Sequence, residues 1–284
     1  AFVTQSTLSA SIKELENLLE ATLVDRSKRT VVLTPLGAET VERARKIIAD
    51  CELLTRAVRT SREPLCGTLR LGAIPTISPF LLPKVLPQLR RAYSQLKLYL
   101  VEDQTARLIE SLHDGQIDVA LLALPYDCGA VETEVLFDDP LLAGLPMWHP
   151  LASSASVMPD QLSEDLLLLK DGHCLRDHAL SACQLVGPRT EGFEATSLPT
   201  LVQMVDNGLG TTLLPALAVD AGVLHGTDIV VRPLQSDAAR RTIGLVWRRG
   251  TGRQNEFKLL AREFTKLAKS APQNMASQPQ NRRA

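Results

Sequence analysis

The chain lacks any apolar run near the ~20 consecutive residues that a membrane-spanning helix requires, because Pro, Asp or Arg interrupts the longest candidates. No membrane partner is expected. Its opening, AFVTQSTLSASIKELE, has no initiator Met and no basic segment followed by an apolar one, so no secretory leader is expected and the natural start is read as lying upstream. A disulfide framework is also missing. Five cysteines scattered over 284 residues are too few and too far apart, and an odd count fits a reducing compartment, so a cytoplasmic setting is expected. Charge of one sign is absent too: 31 Lys and Arg against 32 Asp and Glu leave a net charge of -1. A neutral average can hide a basic surface on one module, so charge has to be read by segment.

What is present is enough apolar material for true cores, at 45% hydrophobic and 22% charged residues. At ~100–200 residues per domain, the length suggests two or three units. Residues 4–19, TQSTLSASIKELENLL, offer Thr or Ser as an N-cap and place Leu8, Ile12, Leu15 and Leu19 on one helical face. Gln5, Ser6, Thr7, Ser9 and Lys13 lie on the other side, small or polar groups that can approach base edges in a DNA groove. On its own this is also the pattern of any amphipathic surface helix. The following LVDRSKRTVVLT has two short β-like runs, Leu23 to Asp25 and Val31 to Thr34, around a turn carrying Arg26, Lys28 and Arg29. A helix followed by a basic wing would read bases with the helix and hold phosphates with the wing.

From Pro35 a longer helical segment keeps Val41, Ala44, Ile48, Cys51, Leu54 and Val58 on one stripe, a pattern that favours helix-on-helix pairing. Cys51, at a stripe position, reads as a small buried hydrophobe. EPLCG then ends the helix, and from there strand-like and helical runs alternate: GTLRLGAI, PFLLPKVLPQLRRAY, KLYLVED, TARLIESLHDG, DVALLAL. That order is βαβαβ and implies a mostly parallel sheet whose binding crevice lies beyond the strand C-terminal ends, where Thr76 and Thr105 fall. DPLLAGLP and DLLLLKDG read as strands of a second set, with a helix through SLPTLVQMVDNG, a strand at GTTLLP, a strand at RRTIGLVWRR and a closing helix at EFKLLAREFTKLAK. The tail after Ser270 lacks apolar periodicity and reads as disordered.

TQSTLSASIKELE followed by LVDRSKRTVVLTPLG resembles the recognition helix and wing of LysR-type transcriptional regulators, and the likeness runs through the linker helix and both lobes to about Lys269. GAIPTISPFLLP, LVEDQTARLIESL, KDGHCLRDHALSAC, GTTLLPALAV and RRTIGLVWR narrow it to the peroxide-sensing members of that family. The resemblance implies an α/β chain. A winged helix-turn-helix, truncated at its N-terminus by roughly one helix-turn segment, occupies 1–35. A linker and dimerisation helix follows at 36–64, then a two-lobed sensor of periplasmic-binding-protein type at 65–270 and a tail at 271–284. Lobe I would comprise 65–137 with about 242–270, and lobe II about 138–241. It further implies an activator that is not an enzyme and needs no cofactor or resident metal. The expected partners are double-stranded operator DNA, a second copy and a tetramer of copies, RNA polymerase and a thiol reductant, at the nucleoid. Carried over residue by residue, Cys174 becomes the peroxide-reacting thiol and Cys183 its disulfide partner, with Thr76, Thr105, His173 and Arg176 around the peroxide. His178 stands where many relatives have Gln.

The stretch Asp171 to Cys183 can be weighed on its own chemistry. If helical, it sets the two cysteine Cα atoms roughly 13 Å apart along the axis and about 180° apart around it. A disulfide needs them within about 7 Å, so bonding requires unwinding. His173, Arg176 and the helix start are expected to lower the Cys174 pKa, while Cys183 sits among Ala182, Leu185 and Val186. The bland alternative is two small hydrophobes buried in a helix. A zinc site is weaker, since the two His and two Cys lack a C-x2-C knuckle and would point around several sides of the helix. Asp171 and Asp177 read as caps or solvated charges, and Cys66 and Cys128 have no evident partner. Other readings remain open: a LysR-type regulator binding a small metabolite between its lobes, a thiol peroxidase, or a solute-binding protein of the same architecture.

Overall fold

The computed structural model describes residues 4–25, 31–60, 65–185 and 194–269. Helix α1, Gln5–Leu18, starts at Thr4, whose hydroxyl accepts from the Thr7 amide at 3.3 Å. Gln5, Ser6, Thr7 and Lys13 are exposed and Ser9 is half-buried. Strands β1, Val24–Asp25, and β2, Val32–Leu33, pair antiparallel. Glu16 of α1 accepts from the Leu23 and Val24 amides at 2.7 and 3.0 Å, fixing the strand to the helix. The wing-tip cations Arg26, Lys28 and Arg29 lie outside the described residues, as does the tail 271–284.

Helix α2 spans Pro35–Thr60. Gly37 in its first turn lies so close to the wing that a Cβ there would sit 2.0 Å from the Leu23 carbonyl oxygen. Along the apolar stripe Ile48 is 60% exposed, and Cys51 is exposed rather than buried as its pattern suggested. The stripe describes a face, and at Ile48 and Cys51 that face is open to solvent among the described residues. The side chains of Leu54 and Val58 lie outside the described residues.

The first lobe is built from β3 (Gly67–Ala73), α3 (Ser78–Ala92), β4 (Leu96–Glu102), α4 (Thr105–His113) and β5 (Val119–Leu124), the βαβαβ order expected, with β3 parallel to both β4 and β5. Strand β6, Val131–Pro146, is 16 residues long and begins well before the DPLLAGLP run that signalled it. Its first part, VETEVLFD, carries no apolar alternation, since the half-buried Glu132 and Glu134 stand where an apolar face would be and Val135 is exposed. Beyond it come α5 (Cys174–Ala182), α6 (Leu198–Asp206), β7 (Thr212–Pro215), α7 (Ala216–Asp220), β8 (Ile229–Pro233), β9 (Arg240–Arg248) and α8 (Gln254–Lys269). The strand order is β4-β3-β5-β9-β6-β7, with β8 also on β6.

DLLLLKDG does not form a strand. Its buried leucines make only isolated bridges, Leu166 with Thr211 and Leu169 with Ala195, and the Thr212 hydroxyl donates to the Leu167 carbonyl at 2.9 Å. An apolar run reports burial, and burial without a continuous partner strand leaves a loop.

Two strands join the lobes. Residues 131–140 of β6 pair with β9, and from Leu141 onward β6 pairs with β7 and β8 instead. Two apolar cores result, one containing Leu71, Leu108, Val119, Val246 and Phe257, the other Leu141, Leu167, Leu201, Val205 and Leu214. At ~25 cal/mol per Å² of buried apolar surface, the burial of these side chains is the main stabilising term for each lobe. A second buried cluster locks α8 to lobe I: the Arg253 guanidinium pairs with Glu256 at 2.6 Å and with Asp118 at 3.2 Å.

Candidate functional site

The site forms where the C-terminal ends of β3 and β4 meet the start of α5. Thr76 follows β3, Thr105 is the first residue of α4, and a small pocket between them is closed by Gly172, His173 and Cys174. Gly172 has φ of +93°, and a Cβ on it would lie 2.6 Å from the Gln104 Oε1, so both the turn and the close approach of Gln104 favour glycine. The Gln104 side-chain amide donates to the Asp171 carbonyl at 3.4 Å, drawing the turn before α5 toward lobe I.

Helix α5 opens at His173, its N-cap, and closes at Cys183, its C-cap, so DGHCLRDHALSAC is helical between its two cysteines. Both thiols are buried, and they belong to different cores: Cys174 to that of lobe I, Cys183 to that of lobe II. The helix therefore bridges the lobes.

Charge around Cys174 differs from expectation in three respects. Its pKa is raised by burial rather than lowered, although Arg241 and the Thr105 hydroxyl act in the opposite direction. The Arg176 guanidinium is turned away: Nε meets the exposed Asp171 carboxylate at 2.7 Å and Nη1 donates to the Leu169 carbonyl at 3.3 Å, so this side chain braces the turn that precedes α5. Burial lowers the His173 pKa, leaving a neutral imidazole at the pocket wall. With a neutral His173 and a diverted Arg176, the helix start and Arg241 must offset desolvation, and they do so only in part.

Arg241 is the functional residue that sequence reasoning missed. It is fully buried where β6 and β9 cross, opposite Asp139 in the ladder, and meets that carboxylate at 2.9 Å. It also donates to the Thr76 hydroxyl at 2.8 Å and to the Thr76 carbonyl at 3.0 Å. The remaining Asp139 oxygen accepts from the Leu217 amide at 2.8 Å, which extends the network to α7. The signal was in the alternation of RRTIGLVWR, where Arg241 shares its parity with Ile243, Leu245 and Trp247 and hence the inward face.

The Thr105 hydroxyl oxygen is buried and has no hydrogen-bond partner among the described residues. It faces the Cys174 sulfur, whose thiolate it favours as a donor. At the other end of α5, burial alone pushes the Cys183 thiol up to about 11. No group of three or more His, Cys, Asp or Glu suited to a metal ion occurs among the described residues, and no helix there is long and apolar enough to cross a membrane.

Comparison with known families matches the LysR substrate binding domain over residues 62–269 and the bacterial regulatory helix-turn-helix protein of the lysR family over residues 1–38. The chain belongs to the LysR family. Within the LysR family, it is 40% identical over 262 residues to the HTH-type transcriptional regulator EstR of Acinetobacter baylyi, covering 92% of this chain and 87% of that protein. It is 40% identical over 261 residues to the DNA-binding transcriptional dual regulator OxyR of Escherichia coli, covering 91% and 85%. Among solved structures, full-length OxyR from Pseudomonas aeruginosa, with a cysteine substituted, superposes with a TM-score of 0.77 at 36% identity, over 93% of this chain and 89% of that one.

Proposed function

We propose that this LysR-family protein is a peroxide-responsive transcription regulator of OxyR type. In this reading hydrogen peroxide oxidises Cys174, and a Cys174–Cys183 disulfide repacks the sensor and alters how the N-terminal module meets operator DNA. The observation that carries the reading is α5 itself: it places one thiol in each of two cores, with the polar groups gathered around Cys174. Relatives such as the OxyR of E. coli and a hydrogen-peroxide-bound mutant of OxyR from Corynebacterium glutamicum support it.

The chemistry balances in two steps. The Cys174 thiolate attacks one peroxide oxygen, the O–O bond breaks, and sulfenic acid and hydroxide result. The Cys183 thiol then displaces water from the sulfenic acid, forming the S–S bond. Thr76 and Thr105 hold the peroxide, and the guanidinium that stabilises the departing oxygen is that of Arg241, since Arg176 is engaged by Asp171 and the Leu169 carbonyl. His173 closes the pocket as a neutral ring. Because a nine-residue helix holds the two Cα atoms roughly 13 Å apart, the second step requires α5 to open.

On the DNA side, Gln5, Ser6, Thr7, Ser9 and Lys13 contact bases while Arg26, Lys28 and Arg29 contact phosphates. The uncovered stripe of α2 pairs with a second copy, and dimers associate further into a tetramer on extended operators. The protein works at the nucleoid in the cytoplasm, acts on RNA polymerase bound nearby, and is reset by a cytosolic dithiol.

A second reading has one observation in its favour, the equal identity to EstR, whose name does not mention peroxide. In that reading a small metabolite binds between the lobes and the thiols are passive. Footprints of reduced and peroxide-treated protein on its operator, with peptide mapping of the cysteines, separate the two. We expect a Cys174–Cys183 linkage and a shifted footprint. Both thiols intact while Cys66 or Cys128 is oxidised overturns the peroxide reading.

A further inference from the structure

The pocket beside Cys174 is too tight to hold a water molecule, so part of its wall must move before hydrogen peroxide can enter. Most of the wall cannot. Its inner side is formed by Ile74, Thr76, Thr105, His173 and Cys174, all of them buried. Its outer side is formed by Pro75, Gln104 and Gly172, which reach solvent. Pro75 is a ring and Gly172 has no side chain, which leaves Gln104 as the member of the outer wall with bonds to turn about. The Gln104 amide lies over Gly172, where a Cβ would meet its Oε1, Cδ and Nε2 at 2.6, 2.9 and 3.0 Å. Its backbone is fixed, the Gln104 N–H donating to the Asp103 carboxylate at 2.8 Å, but the side chain reaches lobe II through a long hydrogen bond of 3.4 Å to the Asp171 carbonyl. We propose that the Gln104 side chain is a specificity-determining gate of this pocket, which opens far enough for hydrogen peroxide and excludes hydroperoxides that carry an alkyl group. The inference rests on the peroxide-sensing reading above.

Both kinds of peroxide offer the same reaction at sulfur. The Cys174 thiolate takes the terminal OH, the O–O bond breaks, and its electron pair leaves on hydroxide or on an alkoxide, which then gains a proton from solvent. What differs is the group that the departing oxygen carries. An alkyl group there has no place inward, because the inner wall is buried and Thr76 is fixed by the Arg241 guanidinium at 2.8 Å. It has to lie across the outer wall, where the Gln104 amide rests on Gly172. The Thr105 hydroxyl, buried and without a hydrogen-bond partner among the described residues, marks the polar end that a small peroxide reaches. Side-chain rotation near a surface takes nanoseconds or less, so the gate does not slow a molecule for which a brief opening is enough. For a bulkier peroxide the amide must stay displaced through the reaction, and misfit of this kind is worth roughly tenfold to a few hundredfold in rate.

The test treats the reduced full chain with hydrogen peroxide or with tert-butyl hydroperoxide, quenches at intervals and follows loss of the Cys174 thiol by peptide mass. In the natural chain hydrogen peroxide should react at least about tenfold faster. Gln104→Ala should narrow that gap by about tenfold or more, chiefly by raising the rate with tert-butyl hydroperoxide. Gln104 is the N-cap residue of α4 but makes no side-chain cap bond, so truncating it leaves the helix capped as before. Gln104→Met, which keeps the length of the side chain and removes its amide, should retain the gap. A natural chain that does not distinguish the two peroxides, a gap unchanged in Gln104→Ala, or a gap lost equally in Gln104→Met overturns the inference while leaving peroxide sensing intact. A Cys174 thiol that survives hydrogen peroxide in the natural chain removes the peroxide reading itself and this inference with it.

Discussion

The two ends of α5 carry the same side chain and are nine positions apart, yet they sit in different chemical settings. Cys174 touches a polar pocket in which a buried guanidinium and an unpartnered hydroxyl oppose the cost of desolvating its thiolate. Cys183 has burial and nothing to offset it, and its thiol is pushed up to about 11. Sequence makes the thiols equivalent, and in the proposed reading the fold makes Cys174 the thiol that meets peroxide and Cys183 the one that later attacks its sulfenic acid. In the proposed reading that asymmetry sets the order of the chemistry, because Cys174 alone has groups beside it, Arg241 and the Thr105 hydroxyl, that favour its thiolate against desolvation.

The largest way to break the comparison is to remove each thiol in turn. Cys174→Ser should abolish the peroxide response completely, whereas Cys183→Ser should leave Cys174 open to sulfenic acid formation but without the footprint change. Trapping of the sulfenic acid and mapping on operator DNA read the two outcomes. Next in size is the buried ion pair that separates the Cys174 pocket from lobe II. Arg241→Leu should lower unfolding stability by about 3–5 kcal/mol in urea, since Asp139 is left buried and unpaired. The double variant Arg241→Leu with Asp139→Leu should recover much of that loss.

Titration sharpens the contrast without changing the chain's fold. Burial raises the Cys174 pKa, so in Cys183→Ser the rate of reaction with an alkylating probe should rise about tenfold per pH unit from neutrality upward until the thiol has ionised. Protein stability responds with the opposite sign. A protonated Cys183 stabilises fully below the unfolded thiol value of about 8.5, and that contribution is lost as pH rises toward about 11. Alkaline loosening of α5 should therefore begin at its C-terminal end, as amide exchange can show. The smallest effect is at Thr105. Thr105→Val removes a buried hydroxyl whose one polar neighbour is the Cys174 sulfur, so stability should hold or rise by about 1 kcal/mol, while the reactivity of Cys174 falls on the order of tenfold with the loss of one donor to its thiolate.

Most of the fold was legible because its signals are local. The βαβαβ order, the capped α1 and the helical reading of CLRDHALSA each follow from periodicity within a dozen residues. What was not legible depends on pairs far apart in the chain. DLLLLKDG looks like a strand until the absence of a continuous partner is known. Cys51 looks buried because the stripe it occupies describes a face, and a face does not say whether this chain or another covers it. At the site, Thr76, Thr105, His173 and Cys174 were found together, but the direction of Arg176 depends on Asp171 and the Leu169 carbonyl, which compete for it before Cys174 can. Arg241 was missed although its strand parity pointed inward, because its partner Asp139 is 102 positions away.

The course of β6 has a consequence for how the molecule comes apart. One uninterrupted strand supplies ladders to both lobes, and β9 runs beside it across the boundary. Lobe I is assembled from two separate stretches of chain, and lobe II, although contiguous, is inserted between them and shares β6 with it, so neither can be excised without cutting the common ladder. A protease that nicks a surface loop of either lobe should leave fragments that stay together and co-purify until a denaturant separates them, and the amides slowest to exchange should lie along that shared ladder whichever state the thiols are in.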